Sequence, residues 1–277
     1  MSDSNQIQWV LEGISFATLG GLAIFQYLHF VIASWRFWEG NKNRILYTAL
    51  IALYWIAHGS FFLSYVPNIA SYEKSVPYIL LALYSPSIFA LIGFAISPTF
   101  RRFSDQISLP WAIASVEGPA RMIVGVLFLF WYFAGRLPGV VAWIAGPGDW
   151  IAGFISFYAV AHLSIFSKKA GISKKDWSLA DLQASNLFSG KSLDLSKMKR
   201  KLNLAILMVA FGILDFFAAP ISTQISVFWD NPPQEMGLLP LGIIPMLLVP
   251  QVLLLEVFAM RQMLVLKKQL NKMSLQS

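Results

Sequence analysis

Ionisable side chains inside long apolar stretches are the residues of this sequence that could do chemistry. Charged groups at such positions are costly, so they usually face a bundle interior or a water-filled cavity and mark ion, proton or ligand sites. The residues concerned are Glu12, His29, His58, Glu117, Arg121, Asp149, His162, Asp215 and Glu256. Any chemistry within the apolar stretches depends on this set.

Glu117 and Arg121 are four residues apart, so on a helix they share one face. Pro119 lies between them and should disturb the helix at this point. Two interpretations are open. The residues form a structural ion pair that neutralises itself, or Arg121 binds an anion or a lipid headgroup with Glu117 as its gate.

Residues 137–153, LPGVVAWIAGPGDWIAG, form the most unusual segment. Gly146-Pro147-Gly148 cannot continue a regular helix cheaply, and Asp149 would suit the N-cap of a new helix. We therefore predict that the fifth helix is broken here. Broken helices in transporters often mark the ligand site. The alternative is a capped re-entrant turn that binds nothing.

Asp215 lies within GILDFFAAP, where an isolated carboxylate is costly unless it is protonated or partnered. By depth, its candidate partners are Asp149, His58 and Glu12. If Asp149 and Asp215 line one cavity, their like charges should keep one of them protonated and make the site pH-dependent.

Seven apolar stretches must position these side chains. The 277-residue chain is 57% hydrophobic and 13% charged, against about 45–50% and about 25% in soluble domains. Each stretch is long enough to cross about 30 Å of hydrocarbon as a helix. We predict an all-α bundle of about seven transmembrane helices in one domain over residues 1–277, at 9–35, 45–66, 77–97, 111–134, 138–166, 202–221 and 237–265.

Loop charges predict the orientation of this bundle. Of 21 Lys and Arg residues, only Lys74 and Arg136 lie in the loops on one side, and Arg121 lies within a span. The positive-inside rule then places the N-terminus outside and the C-terminus in the cytoplasm, as in a multi-pass protein of a bacterial inner membrane. Topology explains the net charge of +7, so no nucleic-acid partner is predicted.

This orientation sorts the ionisable residues by depth. The group toward the outside is Glu12, His58, Asp149 and Asp215. The group toward the cytoplasm is His29, Glu117, Arg121, His162 and Glu256.

The cytoplasmic loop 170–199 is the longest polar segment. Ser173–Asp176 and Ser178–Asp181 have the spacing of capping boxes. The loop holds either a short helix whose apolar side, with Trp177, Leu182 and Phe188, rests on the membrane, or a solvated basic linker.

Four motifs in the second half of the chain resemble those of a group of uncharacterised bacterial polytopic membrane proteins. The group shares an R-x-x-x-G helix, an LP…AGxGD…G segment, a helix with an internal Asp, and a closing LPxxxIPxxxVP helix. Here these are RMIVG from Arg121, residues 137–153, GILDFFAAP and LPLGIIPMLLVP. The resemblance implies that Arg121, Asp149, Asp215 and the prolines of the last motif belong to one site. It implies no activity.

The favoured function is a small transporter, permease or ligand-binding membrane protein with a polar site near the broken fifth helix. Its ligand is a small solute, a proton or a cation, and the lipid bilayer is its other partner. The candidate binding residues are Asp149, Asp215, Arg121, Glu117 and His58. No catalytic residue is assigned, and an enzyme is the less favoured class.

Two alternatives remain open. A membrane-embedded enzyme acting on a lipid or isoprenoid would use cytoplasmic-side residues, namely Glu117, Arg121, Glu256 and His162. A haem b or quinone electron carrier would use His29 and His162, which are expected at similar depth.

Missing residue types exclude several classes of site. The chain has no cysteine, which excludes disulfides, thiolate metal sites, iron–sulfur clusters and c-type haem attachment. It has no nucleotide-binding loop, no HExxH and no GxSxG motif. We expect neither a metal site nor a cofactor.

Reporter fusions test the predicted orientation. A reporter that is active only in the cytoplasm should be active when fused within residues 170–199 or at the C-terminus, because basic loops are retained inside. A periplasmic signal from residues 170–199 would contradict the helix count or the orientation.

Overall fold

The computed structural model describes residues 3–69, 71–115, 117–173, 176–185, 187, 194–229 and 233–275. Every regular element in these ranges is helical, and seven of the helices are long and apolar enough to cross a membrane. The predicted all-α bundle of seven spans is therefore confirmed, and the chain is a multi-pass membrane protein.

Nine α-helices in the described ranges build the bundle. They are α1 Asp3–Phe37, α2 Arg44–Tyr65, α3 Tyr72–Ile96, α4 Pro98–Ser104, α5 Glu117–Phe133, α6 Gly139–Ala170, α7 Leu179–Ala184, α8 Leu195–Trp229 and α9 Val249–Met273. The π-helical turns Trp111–Ser115 and Ile244–Leu248 precede α5 and α9. Helices α4 and α7 are too short to span. Since seven helices cross, the two termini lie on opposite sides, called here the N-terminal face and the C-terminal face.

Helices α8 and α9 differ from their predicted bounds. Helix α8 continues past Pro220 to Trp229. The missing N–H of a proline leaves the carbonyl four residues earlier without its helical donor, and here the Tyr84 hydroxyl donates to that Phe216 oxygen at 3.4 Å. A neighbouring helix thus allows α8 to continue. Helix α9 begins later than predicted, so Pro240 lies in the preceding turn.

The predicted break in the fifth helix is wrong. Helix α6 runs continuously from Gly139 to Ala170 with Pro147 inside it. Asp149 therefore lies in the interior of a helix and is not an N-cap. Transmembrane helices tolerate proline where neighbours re-satisfy the backbone, and the flanking glycines serve a packing role.

Glycines bring α5 and α6 into close contact at two levels. A methyl group at Gly125 would collide with the carbonyl oxygen of Gly146, and one at Gly153 would lie 2.6 Å from the carbonyl oxygen of Gly118. Small residues let the backbones of membrane helices approach closely, where van der Waals packing replaces the missing hydrophobic drive. Gly146 and Gly153 therefore let α6 pack closely against α5.

The loop after α6 docks on the bundle through α7. Of the two predicted capping boxes, Ser178–Asp181 is confirmed: the Ser178 hydroxyl accepts from the Asp181 N–H, and the Asp181 carboxylate accepts from the Ser178 N–H. Trp177 and Leu182 are at most 1% exposed and pack in the protein core. Both interpretations, a helix resting on the membrane and a solvated linker, are therefore wrong for Trp177 and α7; Phe188 lies outside the described residues.

The α5–α6 contact makes a stability prediction. Gly125→Ala should lower the melting temperature of the purified protein in detergent, because overpacking costs about 1–3 kcal/mol and the backbone of Gly146 cannot rotate away. Gly21→Ala on α1 is the matched control, since no atom lies within 4 Å of the added methyl group. Equal melting temperatures for the two variants would contradict the close contact.

Candidate functional site

Arg121 on α5 is the centre of a buried charged cluster. Its Nε donates to Asp149 Oδ1 at 3.1 Å, and its Nη2 donates to Asp215 Oδ2 at 2.5 Å. Its Nη1 lies 3.4 Å from Glu256 Oε1. Side chains from α6, α8 and α9 thus converge on one guanidinium of α5, and we call these four residues the Arg121 cluster.

Backbone and aromatic contacts complete the enclosure of Arg121. Its Nη1 also donates to the carbonyl oxygen of Gly212 at 3.0 Å. The Cζ atom lies 4.0 Å from the centre of the Phe216 ring, a favourable position for a cation. Arg121 is only 2% exposed as a result.

Two glycines leave the space that the charged groups occupy. A methyl group at Gly148 would collide with the Asp215 carboxylate. A methyl group at Gly212 would collide with Glu256 Oε1 and lie 3.2 Å from Arg121 Nη1. Each glycine precedes an aspartate of the cluster by one to three residues in the sequence. That proximity is the signal that could have assigned them to the site.

Carboxylates outnumber cations among the described members of the cluster. The side chains of Asp149, Asp215 and Glu256 are 14%, 11% and 1% exposed, and Arg121 is their common cation. A buried charge without compensation is very costly. Within these four side chains alone, a proton or a further cation would balance the excess negative charge.

The cluster lies near the middle of the bundle. At about 1.5 Å per residue, Asp149 lies about 15 Å along α6 from its start, and Asp215 lies about 21 Å from the end of α8. The prediction that these two residues differ in depth from Arg121 and Glu256 is wrong, since all four side chains meet. The longer α8 places Asp215 deeper than the predicted helix end would.

A small cavity of about 40 Å³ adjoins the two aspartates, with Asp149, Asp215 and Pro245 in its lining. A second cavity of about 40 Å³ shares the lining residues Leu83, Ala219, Met236 and Pro245 with the first. Since one water needs about 10–15 Å³ of such volume, each cavity has room for a few waters.

A third cavity continues this series to the N-terminal face. It measures about 130 Å³, is lined partly by Ser71 and Ser75, and shares Tyr72 with the second cavity. Three separate cavities that share lining residues therefore lie in a row between the N-terminal face and the two aspartates.

The structure brings together three of the five predicted binding residues, Arg121, Asp149 and Asp215. Glu117 begins α5, but its side chain lies outside the described residues, so the Glu117–Arg121 pair stays a prediction. His58 lies on α2 among the rings of Tyr54, Trp55 and Phe62. No described contact joins it to the cluster.

The remaining ionisable residues lie elsewhere. Glu12 pairs with Arg136 at 3.7 Å rather than with Asp215. The His29 ring lies 6.1 Å from that of Trp111, and no described contact joins it to His162. Glu256, which the sequence suggested only for an enzyme, belongs to the cluster instead.

Comparison with known proteins finds no matching family model, no similar curated protein and no similar solved structure. The resemblance to uncharacterised bacterial membrane proteins stays a prediction, and the geometry of the cluster carries the functional argument.

Removing the central cation tests the charge balance. Arg121→Gln should destabilise the protein by about 3–5 kcal/mol, because it leaves buried carboxylates uncompensated. Denaturant unfolding measures the change. Lowering the pH should reduce the difference in free energy of unfolding between the variant and the wild type, since protonated carboxyls carry no charge for the guanidinium to compensate.

Arg36→Gln is the control for this variant. Arg36 binds Asp176 at 2.8 Å at the C-terminal face, with side chains 49% and 37% exposed, and its hydrogen bond lowers the pKa of Asp176. An exposed pair contributes at most about 1 kcal/mol. If Arg121→Gln and Arg36→Gln lowered the free energy of unfolding by the same small amount, Arg121 would not be the counter-ion of the cluster.

Proposed function

We propose that this protein is a proton-coupled transporter of the bacterial inner membrane, and that the Arg121 cluster binds and releases the protons. The observation that carries the proposal is the convergence of Asp149, Asp215 and Glu256 on one buried guanidinium. Ionisable groups inside membrane spans mark proton relays and ion pathways.

A proton suits this cluster better than a metal cation. Arg121 already occupies the space between the carboxylates, with nitrogen–oxygen distances of 2.5–3.4 Å. A metal ion would have to displace the guanidinium. A proton needs no space of its own and can neutralise one carboxylate while Arg121 remains in place.

The two aspartates are the groups that exchange protons in this proposal. Asp149 and Asp215 line the small cavity next to the cluster, whereas Glu256 is 1% exposed and acts as the fixed counter-ion of Arg121. In this proposal the protons come from the N-terminal face, on whose side the row of cavities lies and which the loop charges predict to be outside.

Protonation at Asp215 changes the forces between helices. An ionised Asp215 accepts from Arg121 Nη2 through Oδ2. A proton on that carboxyl removes the charge and adds an O–H donor, so its attraction to the guanidinium falls. The link between α5 and α8 then weakens, while the contacts of Arg121 with Asp149 and Glu256 persist. Protonation of Asp215 would thus favour an arrangement in which α5 and α8 are less tightly joined. In this proposal, solute movement depends on that change.

Infrared difference spectroscopy tests proton binding without knowledge of the solute. The purified protein, titrated in lipid from neutral to acidic pH, should show a carboxylic-acid C=O band that grows over a defined pH range. Asp215→Asn should abolish or strongly diminish this band, because it removes an exchanging carboxyl. Asp149→Asn should shift its midpoint, because it removes one of the interacting like charges.

Asp105→Asn is the matched control. Asp105 is also a partly buried aspartate bound to an arginine, Arg261, but it lies between spans at the C-terminal face. Burial raises its pKa, and the Arg261 hydrogen bond opposes this. Asp105→Asn should remove only the C=O absorption of Asp105 from the infrared difference spectrum. The band that depends on Asp215 should stay unchanged. A spectrum of Asp215→Asn identical to the wild type would refute the proposal.

A further inference from the structure

A cavity of about 500 Å³ lies apart from the Arg121 cluster. Its walls come from α1, α2, α3, α4 and α9, in the half of the bundle nearer the C-terminal face. Its floor consists of buried residues: Phe30, Trp55, Ala90, Phe103, Leu254 and Phe258. The proposed proton site does not use this cavity.

The cavity opens sideways toward the hydrocarbon. Leu50 and Tyr54 on α2 and Phe89 on α3 line it and are 53%, 41% and 64% exposed. The turn Val66–Asn68 joins α2 to α3 at the N-terminal face. The exposed lining residues lie away from this turn, so the open side of the cavity faces the other half of the membrane, where a lipid chain can enter.

The apolar lining of the cavity favours a hydrocarbon ligand. Apart from Ser97 and Thr99 at the end near the C-terminal face, aliphatic and aromatic side chains line the cavity. Apolar cavities stay dry and bind apolar molecules. The volume lies within the range of about 300–1,000 Å³ typical of ligand sites.

Basic residues flank the end of the cavity at the C-terminal face. Trp38 lines the cavity, and the exposed Lys42 follows it in the same loop. Thr99 and Phe103 line it from α4, which also carries Arg101 and the exposed Arg102. A chain bound in the cavity would place its headgroup beside these cations, which favours an anionic headgroup.

We propose that the cavity binds an acyl chain of an anionic phospholipid from the leaflet at the C-terminal face. The acyl chain of the lipid contacts Trp55 and Phe258, and its headgroup phosphate binds Lys42 and Arg102. This site is independent of proton binding, so either proposal can fail without the other.

Tryptophan quenching tests the site directly. Trp55 lines the cavity but is 3% exposed, so an acyl chain of the surrounding bilayer does not reach it unless the chain occupies the cavity. In nanodiscs of phosphatidylglycerol with brominated acyl chains, bromine should quench Trp55 by contact. Trp55→Phe should then lower the quenched fraction of the total emission. Trp131 is 1% exposed and lies in a different core cluster, so bromine should not reach it. Trp131→Phe removes this unquenched emission and should therefore raise the quenched fraction.

Headgroup selectivity and cavity filling complete the experiment. Brominated phosphatidylcholine should quench Trp55 less than brominated phosphatidylglycerol does, and Lys42→Gln with Arg102→Gln should remove that difference. Ala90→Phe, which fills the floor, should abolish the Trp55 component, whereas Leu207→Phe on the exposed side of α8 should not. An unquenched Trp55, or an isoprenoid or quinone found bound by mass spectrometry in place of phospholipid, would overturn the proposal.

Discussion

The burial of Arg121 is the constraint on which the rest of the structure depends. A guanidinium cannot lose its charge in a protein, and burying it uncompensated in the middle of the bundle would be very costly. Carboxylates on three other helices therefore have to meet it, which fixes α6, α8 and α9 around α5. The four helices thus enclose the charge of Arg121, and their apolar side chains pack against one another around the cluster.

Glycine and proline make the arrangement possible. Gly148 and Gly212 leave space for the acidic side chains, and Gly125 with Gly146 brings α5 and α6 close enough for Arg121 to reach Asp149. Pro220 interrupts the backbone hydrogen bonds of α8 one turn from Phe216, and Tyr84 supplies the missing donor. The small and cyclic residues of the spans thus serve contacts between helices.

Composition and the lengths of the apolar stretches were enough to predict the number of spans and the helical class, because in hydrocarbon the backbone has to form its hydrogen bonds within each segment. The same local view failed at Pro147, where α6 continues through the predicted break, and at the end of α8, which runs eight residues beyond its predicted end to Trp229. Asp149, Asp215 and Arg121 were recognised by type. Their meeting with Glu256 was not predicted, because depth counted along separate helices gives no information on which faces converge.

Helix α9 connects the charged centre to the C-terminal face. Six residues beyond Glu256, the Gln262 amide accepts from the N–H of Leu179 and donates to the carbonyl oxygens of Ser104 and Ile107. Glu256 lies seven residues after the start of α9, and Gln262 near the middle of that helix holds α7 and residues 104–107 against it. A tilt of α9 at Glu256 would therefore displace α7 and residues 104–107 together, because Gln262 ties both segments to the same helix.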